Sequence, residues 1–303
     1  MSEPGIAVVQ IVLALVCAPL LPGIINRVKA IVAGRKGQPL LQTYFDLAKL
    51  LTKSPVYSRT TTIIFRAGPI VGLATAAVAL TMLPWGGGEG LLSFDGDFIL
   101  FVGLLGVGRF FTIIAALDTG SAFEGMGASR EAWFSALTEP ALFLAVAALA
   151  HVAGSLTLSR LLVGLGAGNL GSPAVFLAAA ATYIVFLAEN ARMPVDDPTT
   201  HLELTMIHEV MVLDHSGVDF AYIQYGASVK LWVLGGLFSS MLVPKTGLWL
   251  PDLAAGLGAL LAVGVITGIV ESVMARSRMA RVPQLLVAAI AMSALGLTLA
   301  LAR

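Results

Sequence analysis

Phe98-Ile-Leu-Phe-Val-Gly-Leu-Leu-Gly-Val-Gly-Arg-Phe-Phe-Thr-Ile-Ile-Ala-Ala-Leu117 is a run of twenty residues with one charge, Arg109. About 20 apolar residues are what a helix needs to cross the ~30 Å hydrocarbon layer, where only a helix satisfies its own backbone. Seven more stretches have the same character: Ile6–Ile25, Ile63–Leu83, Leu137–Leu156, Pro173–Ala188, Tyr222–Val243, Leu253–Val273 and Pro283–Leu301. The first is not a cleavable signal, because Glu3 stands in place of a basic leader and the run is long enough to span. The expected fold is an all-α integral membrane protein, one membrane domain over residues 1–303 with eight transmembrane helices.

Composition agrees. Of 303 residues, 57% are hydrophobic and 12% charged, with mean hydropathy +0.90; a soluble domain carries about 25% charged residues. Eighteen basic and eighteen acidic residues cancel, which excludes a nucleic-acid binder that must displace counterions from phosphates. Four His and one Cys, Cys17, exclude an iron–sulfur, Cys-rich zinc or disulfide framework.

Lys and Arg distribution sets the orientation. Seven lie between spans one and two with Arg66 in the first turn of span two, and Arg130, Arg192, Arg276, Arg278 and Arg281 lie in the later connections on the same side. The opposite side has Arg160, Lys245 and Arg303, so thirteen against three places the first side in the cytoplasm and both termini outside. The expected location is the inner (cytoplasmic) membrane.

Acids concentrate on that same side. Asp118, Glu124, Glu131 and Glu139 lie in or beside the connection at 118–136, and Glu189, Asp196, Asp197, Glu203, Glu209, Asp214 and Asp219 in the one at 189–221. Carboxylates adjoining a membrane and interleaved with apolar residues suit a docking surface and a buried proton relay better than a solvated loop. Arg109 lies about 8 residues, ~12 Å, inside its span. An Arg at that depth costs on the order of 2.5–3.5 kcal/mol unless it faces protein, water or a carboxylate; Glu139 and Glu189 are candidate partners. Lys230 and Glu271, nearer the cytoplasmic ends of their spans, are explained equally well by snorkelling or by function.

Between spans one and two, at 26–62, the segment Pro39–Lys53 places Leu40, Tyr44, Leu47 and Leu51 on one helical face and Gln42, Asp46, Lys49 and Lys53 away from it. It is too short to span and is expected to lie along the cytoplasmic membrane surface. In the longer acidic connection, Pro198 and the Thr200/Glu203 capping-box spacing predict a helix start. His201, His208 and His215 recur every seven residues, ~10.5 Å along a helix, too far apart to share one metal. No metal site is expected.

Several strings resemble a known family. Arg109-Phe-Phe with Leu117-Asp-Thr-Gly-Ser-Ala-Phe-Glu-Gly-Met-Gly-Ala-Ser-Arg-Glu131 is similar to the signature loop of the membrane subunit of formate-hydrogenlyase and hydrogenase-4 type nickel–iron hydrogenases, homologous to subunit 1 of respiratory complex I. Ala188-Glu-Asn-Ala-Arg-Met-Pro-Val-Asp196 resembles the Glu-x-x-Arg-x-Pro-x-Asp motif of both branches, and Arg35–Leu51 their first cytoplasmic segment. The resemblance implies a non-catalytic, membrane-anchoring, proton-conducting scaffold. It would join hydrogenase-like large and small subunits with iron–sulfur proteins to antiporter-like ion pumps in the lipid bilayer. Nickel–iron and iron–sulfur centres would belong to the partners and no cofactor to this chain.

The proton path or coupling residues are then Arg109, Glu139, Glu189, Arg192, Asp196, Glu203, Glu209 and Asp214, and the docking loop comprises Asp118, Glu124, Arg130 and Glu131. Thr199, His201 and Asp214-His-Ser depart from the complex I pattern and favour the hydrogenase branch. An alternative is a quinone-binding subunit whose cavity, under the Pro39–Lys53 helix, is lined by Arg35, Tyr44 and Phe45. A free-standing secondary transporter would need matching interrupted helices in two repeated halves, which the sequence does not display.

Overall fold

The computed structural model describes residues 3–165, 171–196, 207–274 and 281–302. The helix start expected at Asp197 to Glu203, with His201, lies outside the described residues, as do Arg276 and Arg278. Every regular element among the described residues is helical: α1 (Glu3–Cys17), α2 (Leu20–Val32), α3 (Gln42–Leu51), α4 (Ile63–Met82), α5 (Asp97–Asp118), α6 (Ala122–Ala153), α7 (Leu158–Gly164), α8 (Pro173–Glu189), α9 (Gly217–Leu242), α10 (Trp249–Val273) and α11 (Val282–Leu301). A 3₁₀ turn at Glu209–Val212 precedes α9.

Five helices are long and apolar enough to cross a membrane, six if the bent pair α1 and α2 counts as one span. The first apolar stretch is thus not one straight helix. Its two halves meet at 46° where Pro19 denies the backbone a helical N–H and crowds the preceding turn. α8, at 17 residues, is a shorter apolar helix. α9 has 26 residues but carries Lys230 and several serines among its apolar ones.

The connection expected as a loop at 118–136 is helical from Ala122 onward. α6 runs for 32 residues, about 48 Å at 1.5 Å per residue, well beyond the hydrocarbon thickness. Gly125, Gly127 and Pro140 resemble loop punctuation in sequence, yet only the turn at Thr119–Ser121 interrupts the helical path from α5. The interfacial helix forms later than Pro39 implies: Pro39 contributes a turn carbonyl to Gln42 N–H, and the helix starts there.

α4 packs on α5 and α9, α6 on α5 and α8, α11 against α6 and α8, and α10 against α2 and α9. The shared core is aliphatic, with Trp85 and Trp232 edge-to-face at 5.3 Å. The perimeter is as apolar as the core, for Val12, Ile70, Phe110, Phe176 and Leu295 are all more than half exposed. An apolar outer wall on this scale suits lipid rather than water. At the end of α5 away from the acidic connections, Asp97 accepts a 2.6 Å hydrogen bond from Leu158 N–H, and in the first turn of α10 Asp252 accepts from Thr246 and Gly247 N–H.

Candidate functional site

Four helices converge on Arg109. The guanidinium side chain, 5% exposed, donates from Nη1 to Thr138 Oγ1 at 3.0 Å and from Nη2 to Glu189 Oε1. Its Nε lies 3.5 Å from Glu131 and its Nη1 3.6 Å from Glu139. Lys230 on α9 brings Nζ to 3.9 Å from the other oxygen of Glu189. Glu131 and Glu139 fall on one side of α6 through helical periodicity. Glu189 arrives from the last turn of α8.

An unpaired cation here would be strongly destabilising, so the carboxylates explain how α5 tolerates it. With every group ionised the cluster has two cations and three carboxylates, a formal excess of one negative charge.

A second ionic node adjoins the first. Glu271 on α10, its side chain fully buried, lies 2.9 Å from Lys29 Nζ on α2 and 3.5 Å from Arg192 Nη1. The end of α8 links the two nodes. Arg192 N–H bonds back to Leu187 O and Ala191 N–H to Ala188 O, the paired closing bonds of a Schellman turn. Ala191 has φ 49°, in the left-handed region where a Cβ is strained. This turn separates Glu189, which faces Arg109, from Arg192, which faces Glu271.

Other acids hold the acidic connections together. Glu124, fully buried, accepts Asp214 N–H at 3.1 Å. Asp196 Oδ2 accepts Ile207 and His208 N–H, and Asp118 accepts both Thr62 N–H and its hydroxyl. The 3₁₀ turn sits directly on α6 at Gly127, where a Cβ would come within 2.3 Å of Val210 Cγ1. Gly217, at φ 56°, starts α9 against the end of α3, and a Cβ there would meet the Lys53 and Ser54 carbonyls at 2.6 Å. Ser216 Oγ accepts Val56 N–H at 2.9 Å, and His215 stacks on Phe65 with centroids 3.9 Å apart. Burial drives the His215 pKa down to about 4. His208 is lowered first by burial, then by Lys230.

Between α4, α5, α9 and the 3₁₀ turn lies a pocket of about 760 Å³ counted out to its open mouth. Gly68, Gly72, Ala76, Leu105 and Ile223 give it apolar walls, and Arg109, Glu131, His208 and Lys230 give it a charged end.

The structure therefore brings Arg109, Glu131, Glu139 and Glu189 together and sets Arg192 beside them. Asp118, Glu124 and Asp196 instead fasten backbone, Asp214 is exposed, and Glu203 lies outside the described residues. Glu209 begins the 3₁₀ turn, and Arg130 Nη2 lies 3.1 Å from Met126 Sδ. Arg35, Tyr44 and Phe45, expected under the interfacial helix, are not among the residues that line this pocket. Tyr44 OH donates to Val16 O at 2.6 Å, while Arg35 and Phe45 are exposed. Sequence reading missed Glu131 as an Arg109 partner, Lys230 as a neighbour of Glu189, and the Lys29–Glu271–Arg192 node. Intramembrane charges are themselves a signal, but their pairing depends on which helices adjoin. Among the described residues no three His, Cys, Asp or Glu side chains are grouped to hold a metal.

Comparison with known proteins supplies the family. The NADH dehydrogenase family model matches residues 5–302, and the chain belongs to that family. It is 31% identical over 286 residues to hydrogenase-4 component C of Escherichia coli, covering 90% of this chain and 88% of that one. It is 32% identical over 238 residues to formate hydrogenlyase subunit 4 of the same organism, covering 78% and 76%. Similarity to one subunit of the NADH-quinone oxidoreductase of Bordetella avium is 26% over 219 residues, covering 69% and 60%. The fold matches a chain of the membrane-bound sulfane sulfur reductase, an archaeal respiratory membrane complex, with TM-score 0.84 and 23% identity over 99% of this chain and 100% of that one.

Proposed function

From that membership we propose that the chain is the membrane-anchoring, proton-conducting scaffold subunit of a complex I-like assembly of the hydrogenase branch. The observation that carries this reading is the buried cluster of Arg109, Lys230 and three carboxylates, beside a pocket on the side where the acidic connections gather. The relatives named as components of hydrogenase-4 and formate hydrogenlyase support it, each covering most of its length in this chain. Hydrogenase-like large and small subunits with iron–sulfur proteins dock on the cytoplasmic connections at 118–136 and 189–221, and antiporter-like subunits continue the path in the membrane. Redox centres are assigned to the partners, because a chain with one cysteine has no thiolate set for a cluster.

Eight crossings are counted when bent α1–α2, α4, α5, α6, α8, α9, α10 and α11 each span once, with both termini outside in the inner membrane. α8 at about 25 Å is near the lower limit for a span. Cysteine labelling at each terminus from the outer side tests this topology, and protection of either terminus rejects it.

For function, the subunits that copurify in mild detergent are identified and Glu189→Gln is introduced. A nickel–iron large subunit is expected, with ion translocation stalled in an assembled complex; a chain recovered alone, or normal translocation, rejects the proposal. A second reading, quinone binding, is favoured by the apolar walls and charged end of the pocket. Inhibition of turnover by headgroup analogues supports it, and indifference to them rejects it.

A further inference from the structure

Arg109 and Lys230 both address Glu189, but they are chemically unequal. Guanidinium does not release its proton in proteins, whereas an ammonium does so readily when buried. Glu189 Oε1 is taken by Arg109, while Oε2 is buried without a hydrogen-bond partner among the described residues and faces Lys230 Nζ at 3.9 Å. That separation is too long for a hydrogen bond and closes with a small side-chain movement or one bridging water. Lys230 also lines the pocket. It is therefore the one cation of the cluster that both reaches Glu189 and can exchange a proton with the cavity. The groups around it are Arg109 from α5, Glu131 and Glu139 from α6, Glu189 from α8, His208 and His215 from the acidic connection, and Tyr222 on its own helix.

We infer that Lys230 passes protons between the pocket and Glu189, and is not a fixed counter-ion. The inference rests on the proton-conducting reading above and gives Lys230, there only a charged member of the cluster, a part in the transfer itself. In the step, an Nζ–H bond breaks with its electron pair left on nitrogen, and an O–H bond forms at Glu189 Oε2. An amine and a carboxylic acid remain, and the amine recovers a proton that arrives as hydronium through the pocket, leaving neutral water. Neutral Glu189 relaxes its hold on Arg109, which keeps Glu131 and Glu139, so the cluster has two arrangements that differ by one proton.

The test compares Lys230→Arg, Lys230→Met and Glu189→Gln in the intact complex, reconstituted in vesicles, with copurification as the check of assembly. Arginine preserves the charge, has pocket space for its longer side chain, and cannot give up a proton. Proton translocation is expected to fall at least tenfold in both Lys230 variants. The pH profile of Lys230→Arg is expected to lose a limb present in wild type. If Lys230→Arg retains the wild-type rate and pH profile, Lys230 is only a counter-ion and the inference fails; the same holds if both variants translocate normally. If Lys230→Met does not assemble, Lys230→Arg decides alone. Normal translocation in Glu189→Gln would instead overturn the proton-conducting reading itself.

Discussion

Replacing Arg109 with Met removes the cation from a site where Glu131, Glu139 and Glu189 all approach it within 3.6 Å. The three carboxylates do not contribute equally. Glu139 has 45% of its side chain exposed and lies 3.6 Å from Nη1, so its share is the smallest of the three. Glu131, at 16% exposure, is intermediate. Glu189 is 3% exposed and keeps only a distant Lys230. Losing one partner of a buried pair costs about 3–5 kcal/mol, and that figure sets the expected destabilisation of Arg109→Met. At about 2 °C per kcal/mol for a chain of this size, the apparent Tm falls by roughly 6–10 °C.

The measurement is thermal unfolding in detergent at one scan rate, because irreversible unfolding makes Tm depend on the rate. Adding Glu189→Gln to Arg109→Met removes the stranded charge, and about 2–3 kcal/mol should return as coupling between the two sites. An Arg109→Met variant as stable as wild type, or a double variant no better than the single, would refute the assignment of Glu189 as the principal partner.

Three further outcomes are expected. Gly72 lines the pocket and a Cβ there meets nothing within 4 Å, so Gly72→Leu should fold with equal or higher stability, gaining up to ~1 kcal/mol of helix propensity. It should also cut turnover by occupying the pocket, and unchanged turnover would take the pocket off the path. Ala191→Gly should relieve the left-handed strain at the end of α8 and raise apparent Tm by about 2 °C, roughly 1 kcal/mol; a lower Tm would contradict this. His215 has a folded pKa near 4, below its unfolded value of about 6.5. The unfolded chain therefore binds the extra proton between those values, and stability falls as pH drops from about 6.5 toward 4. His215→Phe, which keeps the stacking on Phe65, should flatten that part of the stability–pH curve, and an unchanged slope would refute the assignment.

Arg109 announced its need for carboxylates in the sequence, since no other group at that depth neutralises it, and neighbouring spans supplied Glu139 and Glu189 as candidates. Glu131 was concealed because three glycines between Gly120 and Gly127 read as a loop, whereas helix–helix packing extends α6 through two of them. The Lys29–Glu271–Arg192 node could not be read at all. It joins α2, α10 and the end of α8, and span order along the chain does not reveal which helices adjoin in the bundle. The 46° bend at Pro19 was visible as a proline but not as a break, because prolines in spans such as Pro69 and Pro140 are absorbed within single helices. Glu124 and Asp196 carry the same charge as Glu189 and lie in the same acidic stretches, yet they are occupied by backbone N–H groups. Only the packing of the folded chain separates an acid that fastens a turn from one facing another charged group.

The bond from Val56 N–H to Ser216 Oγ, with Gly217 seated against the Lys53 and Ser54 carbonyls, joins segments 160 residues apart. During synthesis at about 5–20 residues per second, roughly 8–32 s pass between the emergence of the two. Until then the short helix after α2 has no α9 to rest on, and the basic first connection cannot take its final form. A surface built from both connections therefore exists only on a chain extended past Gly217. Copies truncated before α9 lack this closure, so the same contacts that hold the two connections together also fix the order in which they form.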